Sequence, residues 1–132
     1  MIDLGHWECN IEIPENPFGM VYVITNIIDN KKYIGKKQIL TKKRKPPLKG
    51  KKRKRISIVE TDWKTYTSSS TELNEDIKKH GKENFKFEII RFCNSKSEMA
   101  YFEAKEQFDK DALIREDYYN GIVNLRISKI KF

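Results

Sequence analysis

The stretch Phe18-Gly-Met-Val-Tyr-Val-Ile-Thr-Asn26, followed by Lys31-Lys-Tyr-Ile-Gly35, decides how the chain is read. β-branched and aromatic residues dominate the first piece, which marks it as a strand. Asp29-Asn30 supplies a turn, so the second piece returns as the other arm of a hairpin. Met20 to Ile24 is apolar without a break, as expected of a central strand covered on both faces.

Outward from this hairpin, residues 1–17 read as an irregular lead-in interrupted by Pro14 and Pro17, with Trp7 and Ile13 available to pack on the core. The polar segment after Gly35 is expected to be helical. Residues 42–58 are expected to be an inserted basic loop, kept irregular by Pro46-Pro47 and Gly50. Order resumes at Ile56–Val59. A helix capped by Ser69 or Ser70 runs through Leu73 and Ile77 to His80 and stops at Gly81. Asn84–Phe92 alternates as a third strand. Ser95-Lys-Ser-Glu98 matches a capping box and opens a helix to about Ile114, with Tyr101, Ala104, Phe108 and Ala112 as its buried stripe. Asp117–Gly121 is a turn, and 122–127 a closing strand or extended tail. The whole reads as one α+β domain of 132 residues, with a small three-stranded antiparallel sheet flanked by helices.

Charge is concentrated in one device. The chain carries a net charge of +8, and ten of the fourteen residues from Lys42 to Arg55 are Lys or Arg. Without that run the remainder is slightly acidic. Such a segment repels itself and seeks a polyanion, releasing counterions as each phosphate is neutralised. Lys36, Lys37, Lys42, Lys43, Arg44, Lys45, Lys49, Lys51, Lys52, Arg53, Lys54 and Arg55 are the candidate nucleic-acid contacts. A nuclear-import signal or a simply solvated face are the other readings of the same run. No apolar stretch approaches a membrane span. The N-terminus lacks the basic cluster of a secretion signal, and Cys9 and Cys93 are expected as free thiols in an intracellular protein.

Two tyrosines facing each other across a hairpin are most often only packing. Their company here resembles the GIY-YIG endonuclease signature: Met20-Val21-Tyr22 stands where Gly-Ile-Tyr is usual, and Tyr33-Ile34-Gly35 is intact. Trp63–Ser70, Tyr101–Phe108 and Asp117–Asn120 also resemble segments of phage members, so the resemblance spans residues 18–127. It implies a stand-alone or homing-like phage nuclease that hydrolyses DNA with one Mg²⁺ or Mn²⁺ per site, working in the host cytoplasm. Glu103 is implied as the metal ligand, with Glu106 as its rival and Glu98 committed to the helix cap. Tyr22 and Tyr33 would orient or deprotonate the attacking water, with nearby cations lowering their pKa. The family's arginine falls at Lys43 or, preferably, Arg44. Tyr66 would replace the usual His or Tyr, and Asn120, in competition with Asn124, would help fix the site. Specificity would come from this domain, the basic loop or a partner, with low sequence selectivity expected. A double-strand break would need a dimer or two visits. A non-catalytic nucleic-acid-binding module on the same fold, and a basic adaptor for acidic proteins, are the competing readings.

Overall fold

The computed structural model describes residues 3–121 and 130. Its strands are β1 (Glu8–Cys9), β2 (Gly19–Asn26), β3 (Lys32–Gln38), β4 (Leu40–Lys45), β5 (Arg55–Glu60) and β6 (Phe85–Cys93). Its helices are α1 (Thr71–His80) and α2 (Lys96–Asp109). The main sheet has the order β1-β6-β2-β3, and β4 and β5 form a separate two-stranded ribbon.

β2 is central, as its apolar run predicts. It pairs antiparallel with both β3 and β6. Met20, Tyr22 and Ile24 are buried with Trp7, Trp63, Leu73 and Phe87 on the α1 side, while Val21 joins Ile34, Cys93 and Met99 under α2. The expected three-stranded sheet is corrected to four strands, because Glu8–Cys9 adds itself parallel to β6. A two-residue strand carries no periodic signal; the packing of Trp7 and His6 before it, with a main-chain bond from His6 N–H to Lys64 O, holds it in place. Trp7 donates from its indole N–H to the carbonyl of Trp63 at 2.5 Å, and its ring lies 4.9 Å from that of Tyr22.

The segment after Gly35 continues β3 to Gln38 and is not helical. The basic loop is likewise corrected: its flanks are the strands β4 and β5, and only the tip, residues 46–54, lies between them. Like charges are tolerated in this ribbon because most bases of β4 face uncharged partners. Lys42 sits opposite Ile58, Lys43 opposite Ser57 and Arg44 opposite Ile56; only Lys45 meets another base, Arg55.

Both helix starts follow their sequence signals. Ser70 Oγ accepts from Leu73 N–H, and Ser95 Oγ accepts from Glu98 N–H while Glu98 Oε2 accepts from Asn94 N–H. α2 ends at Asp109, short of Ile114, where Asp111 turns the chain with φ 53°. Its buried face is also corrected. Tyr101 and Phe108 are exposed, Ala112 is buried beyond the helix, and Met99, Ala104 and Gln107 face inward. Ala104 and Ala112 are buried as expected, whereas Tyr101 and Phe108 face solvent, because helical spacing fits more than one line of residues when apolar and polar side chains are mixed. Cys9 and Cys93 are free thiols, as expected. No helix among the described residues is long and apolar enough to cross a membrane. The expected closing strand at 122–127, and Asn124 within it, lie outside the described residues.

Replacing Trp7 with Ala is expected to cost about 3–5 kcal/mol of stability, read from urea unfolding, because it empties the space between Tyr22 and Phe87. A cost below about 1 kcal/mol would mean the lead-in is not part of the core.

Candidate active site

In the β2–β3 register Tyr22 pairs with Gly35, and Ile24 with Tyr33. Residues two apart on a strand share a face, so both tyrosines project to the α1 side. Their ring centroids are 6.2 Å apart. Gly35 is what permits this: a Cβ there would collide with the Tyr22 phenol and the edge of the Tyr33 ring. A bulge in the β2–β6 pairing between Val21 and Tyr22 sets the aim of this stretch.

Tyr66 completes the aromatic cluster. Its ring meets Tyr22 edge-on at 6.3 Å, and the Lys37 ammonium lies 4.2 Å above its centroid while also pairing with Asp62 at 2.8 Å. His6, which the sequence reading did not single out, stacks on Phe87 and bonds through Nε2 to the Tyr66 carbonyl at 2.9 Å. A carbonyl only accepts, so Nε2 carries the proton. Burial first, then the nearby Lys82, pushes the His6 pKa down to about 4. Ser69 was also missed as a site neighbour: Ser70 takes the capping role, and Ser69 hydrogen-bonds the Tyr33 side chain. Only tertiary packing separates these adjacent serines.

Asn120 holds the hairpin from outside. Its Oδ1 accepts from Ile34 N–H at 2.9 Å and its Nδ2 donates to Ile34 O at 2.8 Å, while Gln107 Nε2 donates to the same carbonyl at 3.3 Å. Main-chain bonds from Lys32 to Asp117 and Tyr119 continue this cover along the edge of β3. The residue clamped in this way lies between Tyr33 and Gly35, so Asn120 acts on the position of both.

Glu103 approaches from α2. Its Oε1 lies 3.3 Å from the Lys36 ammonium, one residue past Gly35, and its side chain is 17% exposed. Burial raises its pKa, with Lys36 opposing that shift. The carboxylate is electrostatically coupled to both Tyr22 and Tyr33, although no hydrogen bond joins it to either phenol among the described residues. Glu106 instead lines a separate cleft with Val21, Ile90 and Arg91.

The phenols are not poised as the sequence reading expected. Burial is the largest influence on both, and neighbouring Tyr66 and Glu103 add to it, so Tyr22 and Tyr33 are shifted upward and not down. The Ser69 hydrogen bond offsets part of the shift at Tyr33. Arg44 is exposed on β4 opposite Ile56 and has no bond or ring contact with Tyr22, Tyr33 or Glu103 among the described residues. The cations the structure does bring to the cluster are Lys36 and Lys37.

Residues 6–123 match the family described as "Putative endonuclease segE, GIY-YIG domain". The chain belongs to the GIY-YIG endonuclease family. It is also 32% identical over 107 residues to the "Putative endonuclease segD" of Enterobacteria phage T4, an alignment covering 81% of this chain and 39% of that protein. The chain therefore spans about two fifths of that relative's length. No solved structure matches it. Within the GIY-YIG frame the two signature tyrosines and the signature glycine form one contact, and Met20 replaces only a residue facing the core.

Gly35→Ala is expected to lose about 1–3 kcal/mol, because two packed rings must move to admit one methyl group; chemical denaturation measures it, and an unchanged midpoint would refute the tight juxtaposition. Glu103 gives a second expectation, of opposite sign. A carboxyl whose folded pKa is raised stabilises the fold when protonated, and that contribution is lost as pH rises through the folded value. Glu103→Gln should therefore raise the melting temperature at pH 7, and raise it less as the pH is lowered and the wild-type carboxyl takes up its proton. Equal melting temperatures at pH 7 would count against a strained carboxylate.

Proposed function

We propose that this GIY-YIG domain is a DNA endonuclease that hydrolyses phosphodiester bonds with one divalent cation, Mg²⁺ or Mn²⁺, at Glu103. The observation that carries the proposal is the meeting of Tyr22, Tyr33 and Gly35 on one face, with a secluded carboxylate electrostatically coupled to both phenols.

The donor set suits a hard cation that keeps most of its waters. Among the described residues no group of three or more His, Cys, Asp and Glu side chains could enclose a metal, whereas one partly buried carboxylate leaves room for waters and a substrate phosphate. A bound cation would supply charge compensation at the leaving oxygen. Lys36, now paired with Glu103, is free to turn to a phosphate oxygen once the carboxylate has another positive partner. Tyr22, held protonated by its burial, orients the attacking water as a hydrogen-bond partner. Tyr33, eased by Ser69, is the better proton acceptor. Tyr66 packs edge-on against Tyr22, with the Lys37 ammonium over its ring. Asn120 keeps the β3 backbone in register, and Arg44 contacts DNA from the ribbon with the other bases between Lys42 and Arg55. One such site cuts one strand, so a double-strand break would require a second copy or a second encounter. In a phage-infected cell the substrate would be met in the host cytoplasm.

The test is incubation of supercoiled plasmid with the protein and Mg²⁺, resolving nicked from linear product. Wild type should nick, and Glu103→Ala should be at least about 100-fold slower. Because both phenols are shifted upward, the cleavage rate should climb with pH from about 6 to 9 without a plateau, and Tyr33→Phe should flatten that rise. Equal inactivity of wild type and Glu103→Ala, with DNA binding intact, would replace the enzyme by a binding module on the same fold.

A further inference from the structure

The ribbon has two unlike faces. Alternation along paired strands places Leu40, Lys42, Arg44, Ile56, Ile58 and, at the base, Glu60 on one face, and Thr41, Lys43, Lys45, Arg55, Ser57 and Val59 on the other. Ile56 is 62% exposed and Ile58 68%. Isolated surface isoleucines are unremarkable, but these two share one face of β5, pair across to the basic strand β4, and directly face Arg44 and Lys42. A protein partner suited to the isoleucines would have to tolerate the surrounding cations; a duplex suits both.

The same face opens toward the candidate active site. Lys42 and Ile58 line a cleft of about 610 Å³ with Gln38, Leu40 and Lys96. Gln38 and Lys96 also line a second cleft, of about 360 Å³, which contains Lys36 and Lys37. Lys36 is the partner of Glu103. A continuous surface therefore runs from the carboxylate, past Lys36 and Gln38, onto the Lys42–Ile58 pair and out to Arg44–Ile56. Six-residue strands extend it by roughly 17 Å.

We propose that the face bearing Lys42, Arg44, Ile56 and Ile58 lies in the major groove of duplex DNA, beside the phosphate presented to Glu103. This rests on the nuclease reading above for its partner, but goes beyond it in naming the groove and the residues that meet the bases. A two-stranded ribbon fits the width of the major groove, where the isoleucine side chains meet base edges, thymine methyls among them, while Lys42 and Arg44 reach the flanking phosphates. Apolar contacts of this kind add affinity with only a weak base preference.

The test is fluorescence anisotropy of the full chain with a labelled duplex of about 25 base pairs, the matching single strand and heparin, in EDTA over a range of salt. Ile56→Thr/Ile58→Thr retains β-branched residues, so the ribbon should persist, as circular dichroism and melting check. This variant should bind the duplex about tenfold more weakly, with an unchanged salt slope and unchanged heparin binding. Lys42→Gln/Arg44→Gln should instead lower the slope by about 2. Wild-type affinity of the isoleucine variant for duplex would overturn the proposal. So would an equal loss on heparin or single strand, or failure of the wild type to bind duplex at all. Isoleucine-dependent binding without Mg²⁺-dependent nicking would remove the nuclease reading and leave the groove-binding face. Nicking without isoleucine dependence would remove only the latter.

Discussion

The space left by the absent side chain of Gly35 is the constraint on which the rest of the site depends. Tyr22 faces that glycine directly across the hairpin, and the Tyr33 ring closes the same gap from two residues away. Trp7 presses on Tyr22 from behind, Tyr66 meets it edge-on, and Asn120 fixes the backbone next to the glycine. Each of these contacts comes from a different part of the chain. The cluster is therefore a product of the whole fold, although its seed is one hairpin.

Burial gives this cluster its chemistry. A tyrosine at the surface would titrate near its ordinary value; here exclusion of water pushes Tyr22 and Tyr33 up, and Glu103 with them. Tyr22 and Tyr33 pack together, and Glu103, reaching in from α2, is electrostatically coupled to both, with Lys36 beside the carboxylate and Lys37 beside Tyr66. Such an arrangement is costly to the fold and responsive to an arriving cation or phosphate, which is the trade common at sites that do chemistry. Lys36 relieves part of the cost at Glu103.

The ribbon shows how a charge run becomes an organised surface. Its bases lie within reach of one another along the sequence, so composition alone suggests a self-repelling loop. Antiparallel pairing resolves the conflict by setting Lys42, Lys43 and Arg44 against Ile58, Ser57 and Ile56. The result is a projecting arm with chemically distinct faces, one of which continues the surface that leads to Glu103.

The sequence by itself determined the central hairpin, the third long strand, both helix starts and the family. These signals are local: β-branched runs, turn residues and hydroxyl caps act within a few residues of themselves. It also pointed to Tyr22, Tyr33 and Glu103 through a resemblance in order and spacing. Only the tertiary structure decided the parallel strand Glu8–Cys9, the ribbon, the inward face of α2 and the placement of Arg44 outside the tyrosine cluster. It alone set the direction of the phenol shifts and brought His6 and Ser69 to the site. Pairing partners, burial and electrostatic surroundings are set by residues distant along the chain, and no local pattern encodes them.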